Sequence, residues 1–323
     1  MKWKLIKIIS LCLAVIVMLL AIWGVLIEPR LIDFREETAT VPNLPKSWEN
    51  KKIALIADIQ IGMWFGNEDT VKEIVKRIIE IRPAAVLIAG DFVYQPTDED
   101  KLQDIEREDV KNFKNEVNQS VDLLKPLAEA KIPTYAVLGN HDYGMSYPDS
   151  VKNEKLAQAI RQTLKSANIK VLENQAVPLE LNDKNSEKNN QSEDDIANFY
   201  VVGIGSGYAQ NAKPELALAE VSDNAPRVIF MHEPDTFTDF APNTAPFAVA
   251  GHTHGGQIRI PFTKNWSWMA LLSDEKIKTD GWINNYGNSG NHLYVNRGIG
   301  FSSFPVRINC RPELTVFRLQ RGN

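Results

Sequence analysis

Five short runs rich in Val, Ile, Leu and Ala, at 53–57, 86–89, 135–138, 200–202 and 228–231, each end in a polar cluster. Apolar runs of this length suit strands that are buried on both faces of a sheet. Stretches with helical periodicity separate them at 68–81, 110–130, 151–167 and 214–221. The early order is therefore strand, helix, strand, helix, strand, which predicts an α/β fold. Beyond residue 251 the pattern turns strand-rich, at 257–260, 293–295 and 314–319, and predicts a second sheet with antiparallel pairing.

The amino-terminal pattern differs from the rest. Residues 8–27 carry no charge and are interrupted only by Ser10 and Gly24. As a helix rising about 1.5 Å per residue, they would span roughly the 30 Å hydrocarbon layer of a bilayer. The run exceeds the roughly 7–15 apolar residues of a secretory signal, and no clear A-x-A site precedes Glu28, so an uncleaved single-pass anchor is expected over residues 1–28. Lys2, Lys4 and Lys7 outweigh Arg30 and Arg35 beyond the run, which puts the amino terminus in the cytoplasm and the body outside it. Residues 29–50, with Pro29, Pro42 and Pro45, have the composition of a linker, and a folded domain is expected over 51–323. Two polar insertions, 97–109 and 182–195, lack apolar periodicity, and the second is expected to be a surface loop.

Composition narrows the chemistry. The 323-residue chain is 44% apolar and 24% charged, which is ordinary for a globular protein and excludes wholesale disorder. Its net charge of −5 divides into +3 on residues 1–30 and −8 on the remainder, and an acidic body without a basic tract argues against nucleic acid as a partner. Two cysteines, Cys12 and Cys310, offer neither a disulfide framework nor a cysteine–zinc site. Any metal would have to sit on His, Asp, Glu or Asn. There is no P-loop and no G-x-S-x-G elbow, and the Gly203–Gly207 stretch reads as a tight turn.

Four of the five histidines lie in polar clusters after predicted strands: His141 in GNHD, His232 in MHEPD, and His252 and His254 in GHTH. Asp58, Asp91 and Asn140 occupy equivalent positions, at the strand ends where α/β sheets place ligands. Oxygen and imidazole donors from five loops can enclose two transition-metal ions about 3.5–4 Å apart. Any one of these clusters alone would suit a turn, a helix cap or a satisfied core histidine. The ordered set of five is what points to a metal centre. His252 and His254 are two residues apart, so an extended backbone would direct both to one side.

This set resembles the calcineurin-like metallophosphoesterase family, whose motifs run D-x-H, GDxx, GNH[DE], a separate His, and GHxH. They stand here as Asp58-Ile59-Gln60, Gly90-Asp91, Gly139-Asn140-His141-Asp142, His232 and Gly251-His252-Thr253-His254. GHTHGGQIRIP, YVNRGIG and PVRINCRPEL are similar to the membrane-associated bacterial branch, which implies the inner (cytoplasmic) membrane with a periplasmic or extracytoplasmic domain. The resemblance implies a four-layer αββα sandwich of two mixed sheets and two bound ions (Mn, Fe or Zn). It further implies Asp91 as bridge, Asp58 and His254 on the first ion, and Asn140, His232 and His252 on the second. His141 is left to stabilise or protonate the leaving oxygen, with Asp142 as a candidate orienting partner. The implied reaction is hydrolysis of a phosphomonoester or phosphodiester by a metal-activated hydroxide.

One position departs from the family pattern. Gln60 stands where D-x-H has His, and an amide is a poorer donor than imidazole. Tyr94, three residues after Asp91, has the spacing by which purple acid phosphatases place a tyrosinate on iron, so Gln60 and Tyr94 are both candidates to complete the first site. Arg297 is a candidate phosphate contact, with a structural ion pair as the competing reading. Met63, Trp64 and Phe65, together with Trp266, Trp268 and Met269, form either an apolar rim for a lipid chain or ordinary core. The anchor favours a phospholipid or lipid-linked phosphate substrate. The alternatives are a nucleotide-sugar-lipid pyrophosphatase of lipid A synthesis, whose body would face the cytoplasm, and a non-catalytic binding module on the same fold, against which the retained donors speak.

Overall fold

The computed structural model describes residues 2–63, 65–94, 109–179, 181, 198–260, 267, 280–302 and 304–322, with only the backbone described for 109–114. The polar insertions at 97–109 (apart from the backbone of 109) and 182–195, and the rim candidates Trp64, Trp266, Trp268 and Met269, lie outside the described residues.

The parallel strands β2 (Lys52–Ile56), β3 (Ala85–Ala89), β4 (Thr134–Val137) and β5 (Lys170–Val171) form four of the strands of a six-stranded sheet. β12 (Glu313–Gly322) joins it antiparallel to β2, and β1 (Asp33–Pro42) closes the edge parallel to β12, giving the order β1-β12-β2-β3-β4-β5. The second sheet contains β6 (Gln175–Leu179), β7 (Phe199–Gly203), β8 (Arg227–Phe230), β9 (Ala248–Ala250), β10 (Gly281–Ile283) and β11 (Leu293–Val295), in the order β10-β11-β9-β8-β7-β6. Its middle is parallel and its two edge strands are antiparallel.

Side-chain alternation sorts the core into layers. Ala54, Ile56, Val86 and Ile88 face a cluster shared with α2 (Glu68–Ile81), α3 (Asp109–Glu129) and α4 (Glu154–Ser166). Ile53, Leu55, Ala85 and Leu87 face Phe199, Val201, Val228 and Phe230 between the two sheets. On the far side of the second sheet, Val202, Ile229 and Ala248 pack with Phe237, Phe240 and Ala217, the last from α5 (Pro214–Leu218). The result is helices, sheet, sheet and a thinner helical layer. α2 buries Val71, Ile74, Val75 and Ile78 at helical spacing and ends on Arg82 in the left-handed region, just before Pro83. α4 begins where the Asn153 side chain accepts a bond from the Leu156 N–H.

Three expectations are corrected. Residues 29–50 are not a linker, because β1 pairs with β12 over ten residues and Ala39 and Val41 are fully buried. The carboxy-terminal strand belongs to the first sheet, and the second sheet begins at β6, well before residue 251. Residues 257–260 make only isolated bridges, Ile258 to Ile308 and Arg259 to Ser267. The apolar head is α1 (Lys2–Ile22), which runs into a π-helical turn, Trp23–Ile27. It is long and apolar enough to cross a membrane and none of it is buried in the fold. Both cysteines are free thiols.

Candidate metal centre

Every donor proposed from the sequence sits just past the carboxyl end of a parallel strand. Asp58 and Gln60 follow β2, Asp91 follows β3, Asn140 follows β4, His232 follows β8, and His252 and His254 follow β9. The two sheets thus contribute opposite walls of one site. Asp58, Gln60, Asp91, His252 and His254 all have φ between 45° and 71°. This left-handed conformation costs a non-glycine residue about 1–2 kcal/mol, and such strain persists where packing over-determines it. Glycine is required at 139, because a Cβ there would lie 2.2 Å from Asp91 Oδ1 and 2.7 Å from the His232 ring.

Asp58, Asp91 and His232 each offer a ligand atom within 4.8 Å of the others, and all three are buried. His232 Nδ1 lies 2.7 Å from the Ala89 carbonyl oxygen, which can only accept, so Nδ1 carries a proton and Nε2 is the nitrogen left to meet a cation. That Nε2 is 3.3 Å from Asp91 Oδ2, 3.0 Å from Asn140 Oδ1 and 3.1 Å from His252 Nδ1. His252 Nδ1 is in turn 3.0 Å from Asn140 Oδ1. Ligand-type atoms from four loops therefore converge on one point, an arrangement that suits a cation among them. On the other side, His254 Nε2 lies 3.6 Å from Asp58 Oδ1. His254 Nδ1 and Gln60 Oε1 are buried polar atoms without a hydrogen-bond partner among the described residues.

The electrostatics agree. Burial pushes the Asp58 carboxyl up to about 7, the Asp91 charge adding to the rise against the opposing pull of His232. Asp91 is just as buried, but contacts with His232 and His141 outweigh that and hold its pKa low. Burial pulls His252 down to about 3, aided by His232, and holds His254 well below its usual value, aided by Arg307. His232 is the exception: it is equally buried, but the Asp91 carboxylate raises it well above its usual value, so the imidazolium supplies a countercharge that a bound cation would take over. His252 and His254 are neutral, the state that binds metal. The donor set fits a metal.

Several expectations change in detail. His252 and His254 do not project from an extended backbone: both have positive φ, and they reach different partners, Asn140 and Asp58 respectively. Asp142 does not orient the His141 ring. Its carboxylate accepts from the N–H groups of Asp91, Phe92 and Gly139, tying two donor loops together. The ring of His141 is held by the Tyr94 carbonyl, 2.7 Å from Nδ1, and by the Tyr94 ring, 5.8 Å away and nearly parallel. Burial pushes the Tyr94 phenol upward. Gln60 Nε2 donates to Asp91 Oδ2 at 3.1 Å. Arg297 is buried, with Nε donating to Glu313 at 2.6 Å and a terminal nitrogen donating to Asp33, so the ion-pair reading replaces the phosphate contact. Met63 is buried, whereas Phe65 is exposed.

Sequence reasoning missed Tyr208. Its hydroxyl lies 3.3 Å from His252 Nε2, and its ring meets His252 edge-on at 4.9 Å. The glycine-rich turn before it carried no signal for that role.

A family model described as calcineurin-like phosphoesterase matches residues 51–297. The chain belongs to this family. Among its relatives, the phosphodiesterase YaeI of Escherichia coli (strain K12) is 31% identical over 92% of this chain and 88% of its own length. The uncharacterized metallophosphoesterase YkuE of Bacillus subtilis (strain 168) is 27% identical over the same shares. The UDP-2,3-diacylglucosamine pyrophosphatase LpxG of Chlamydia trachomatis is 24% identical over 92% of each chain. As a calcineurin-like phosphoesterase, the chain is a metal-dependent phosphoric ester hydrolase.

Proposed function

We propose that this protein is a membrane-anchored phosphoesterase with two metal ions, acting on a phosphodiester or phosphomonoester carried by a lipid. The observation that carries the reading is the convergence of Asp91, Asn140, His232 and His252 on one point, with Asp58 and His254 beside it. Asp91 would bridge the ions. Asp58 and His254 would hold one of them, with Gln60 or Tyr94 completing its shell, and Asn140, His232 and His252 would hold the other. When bound, the ions supply Lewis acidity toward the phosphoryl oxygens and a water activated near neutral pH.

The chain's own groups do the rest. His141 donates Nδ1–H to the Tyr94 carbonyl, which fixes the tautomer and makes Nε2 the atom that exchanges a proton with the leaving oxygen. Tyr94 stacking limits rotation of that ring, and the Asp142 clamp keeps the Asp91 and Asn140 loops in register. α1 would anchor the chain in a bacterial cytoplasmic membrane, with the lysine-bearing end in the cytoplasm and the catalytic body on the outer side. A second reading, pyrophosphate hydrolysis in a nucleotide-linked lipid, is favoured by the similarity to the UDP-2,3-diacylglucosamine pyrophosphatase LpxG.

The test is metal analysis of freshly isolated full-length protein, followed by hydrolysis of bis-p-nitrophenyl phosphate and of a panel of lipid and nucleotide phosphates with Mn, Fe or Zn. Two ions per chain and preference for lipid phosphates are expected, with at least ~1,000-fold lower kcat in Asp91→Asn and His232→Ala. Preference for soluble substrates would overturn the lipid assignment, and preference for a pyrophosphate would select the second reading. Tyr94→Phe with an unchanged visible spectrum and metal load would remove the tyrosinate.

A further inference from the structure

The turn that follows α1 is built into the catalytic body. Glu28 is only 3% exposed, and both of its oxygens are used. Oε2 accepts from Trp23 Nε1 and Oε1 from the backbone N–H of Cys310, each at 2.6 Å. The Gly24 carbonyl, released by the π-helical turn, accepts from the Arg307 N–H at 2.9 Å. A Cβ on Gly24 would lie 2.8 Å from Ile308 and 3.1 Å from Val306, so glycine is what permits the close approach. The Thr70 hydroxyl donates to the Pro29 carbonyl, adding a contact with α2.

The segment gripped in this way, 306–310, is the one that braces the Asp58 and His254 side of the metal centre. Cys310 Sγ donates toward the carbonyls of His254 and Gly255, at 3.3 and 3.4 Å. Ile308 N–H donates to the Gln257 carbonyl at 2.8 Å, three residues beyond His254. The Arg307 guanidinium is fully buried and donates to the carbonyls of Arg297, Gly298, Gly300 and Cys310. The loop it ties carries Gly300, whose N–H donates to the Asp58 carbonyl at 2.6 Å, and Gly298, whose Cβ would lie 2.7 Å from the Asp58 side chain. Two bond paths thus run from the end of α1 through 306–310, one to His254 and one to Asp58. The path to Asp58 reaches His252 only through the Asp58 carboxylate, which accepts from the His252 N–H at 3.1 Å, and segment 306–310 makes no direct bond to Asn140 or His232 among the described residues.

We propose that the Trp23–Arg30 turn, through Glu28 and Gly24, is a positioning element for the ion held by Asp58 and His254. The proposal rests on the ligand assignment above but does not require α1 to lie in a membrane. It also implies that a body cut after residue 28 has lost part of the support of its metal centre.

The test uses the full-length chain in detergent, stripped of metal and then titrated with Mn2+ by equilibrium dialysis with elemental analysis. Thermal melting of the metal-free proteins is recorded in parallel. Glu28→Ala and Gly24→Val are expected to weaken one of the two ions about 10–100-fold, the usual effect of losing an outer-sphere contact, and to leave the other unchanged. Glu28→Gln keeps an oxygen for the Cys310 N–H and should recover most of the loss. Should Glu28→Ala fail to fold, Gly24→Val and Gly24→Ala are judged by the same titration. Wild-type binding of both ions in folded Glu28→Ala, Gly24→Val or Gly24→Ala, or equal weakening of both, overturns the proposal. Asp58→Asn, titrated alongside, separates the two claims. If it weakens one ion while the Glu28 and Gly24 variants do nothing, only the anchor's role falls; if it weakens neither, the ligand assignment fails.

Discussion

Arg297 occurs in a glycine-flanked stretch that suits a phosphate-binding arginine, yet its guanidinium lies between Asp33 and Glu313, and Glu313 is fully buried. Removing one partner of a buried pair strands the other charge, so Arg297→Ala should lower unfolding stability by about 3–5 kcal/mol. In chemical denaturation the midpoint falls, while KM of the folded enzyme stays near wild type. A large rise in KM with intact stability would restore the phosphate contact. Tyr208 is the opposite case, a residue with no sequence signal that touches a proposed ligand. Tyr208→Phe keeps the ring contact and deletes the hydroxyl on His252 Nε2, and should weaken one metal ion about 10-fold in a metal titration. Unchanged affinity would reduce Tyr208 to packing. The strand-end donors were legible because short polar motifs mark them. Tyr208, Arg307 and Cys310 were not, because their partners lie 44, 3–10 and 55–56 residues away in sequence, and those of Arg307 are backbone carbonyls that no residue pattern marks.

At the scale of elements, α2 and α4 were readable because each buries a single stripe against the first sheet at helical spacing. The inner strands were readable because they are apolar on both faces. β1 was hidden for a physical reason. Its inward positions begin with Asp33, Arg35 and Glu37 and become apolar only at Ala39 and Val41, so a half-buried strand has the composition of a linker. Those charges are satisfied by partners distant in sequence: Arg297, Glu313 and the Trp282 indole. Val41→Asp separates a strand from a tether. Burying an unpaired carboxylate there should cost roughly 3 kcal/mol or more, seen as a large fall in Tm, whereas a tether would tolerate it. The edges of the second sheet were missed for the related reason that β10 and β6 are only partly buried.

At the scale of the whole molecule, the metal centre lies where the two sheets meet, so cations bound there would join the walls contributed by each. A ligand bound only by the folded state stabilises it by about 2.7 kcal/mol at a hundredfold excess over Kd. Chelation of the full-length protein is therefore expected to lower Tm by on the order of 5 °C per ion, reversed by adding metal back. An unchanged melting curve after verified metal removal would mean that the site does not bridge the two halves.

The edge pairing of β1 with β12 has a mechanical corollary. The strands run parallel over ten residues, and β1 starts directly beyond the turn that leaves α1. Tension applied along the apolar helix, as when a protein is dragged out of a bilayer, would act along the length of β1 rather than across it. The inter-strand bonds of this parallel pair are evenly spaced and slanted across it, so a pull along the strand would load them together in shear instead of unzipping them one at a time. The catalytic body should therefore resist extraction from its amino-terminal end far better than peeling from the far end of β12.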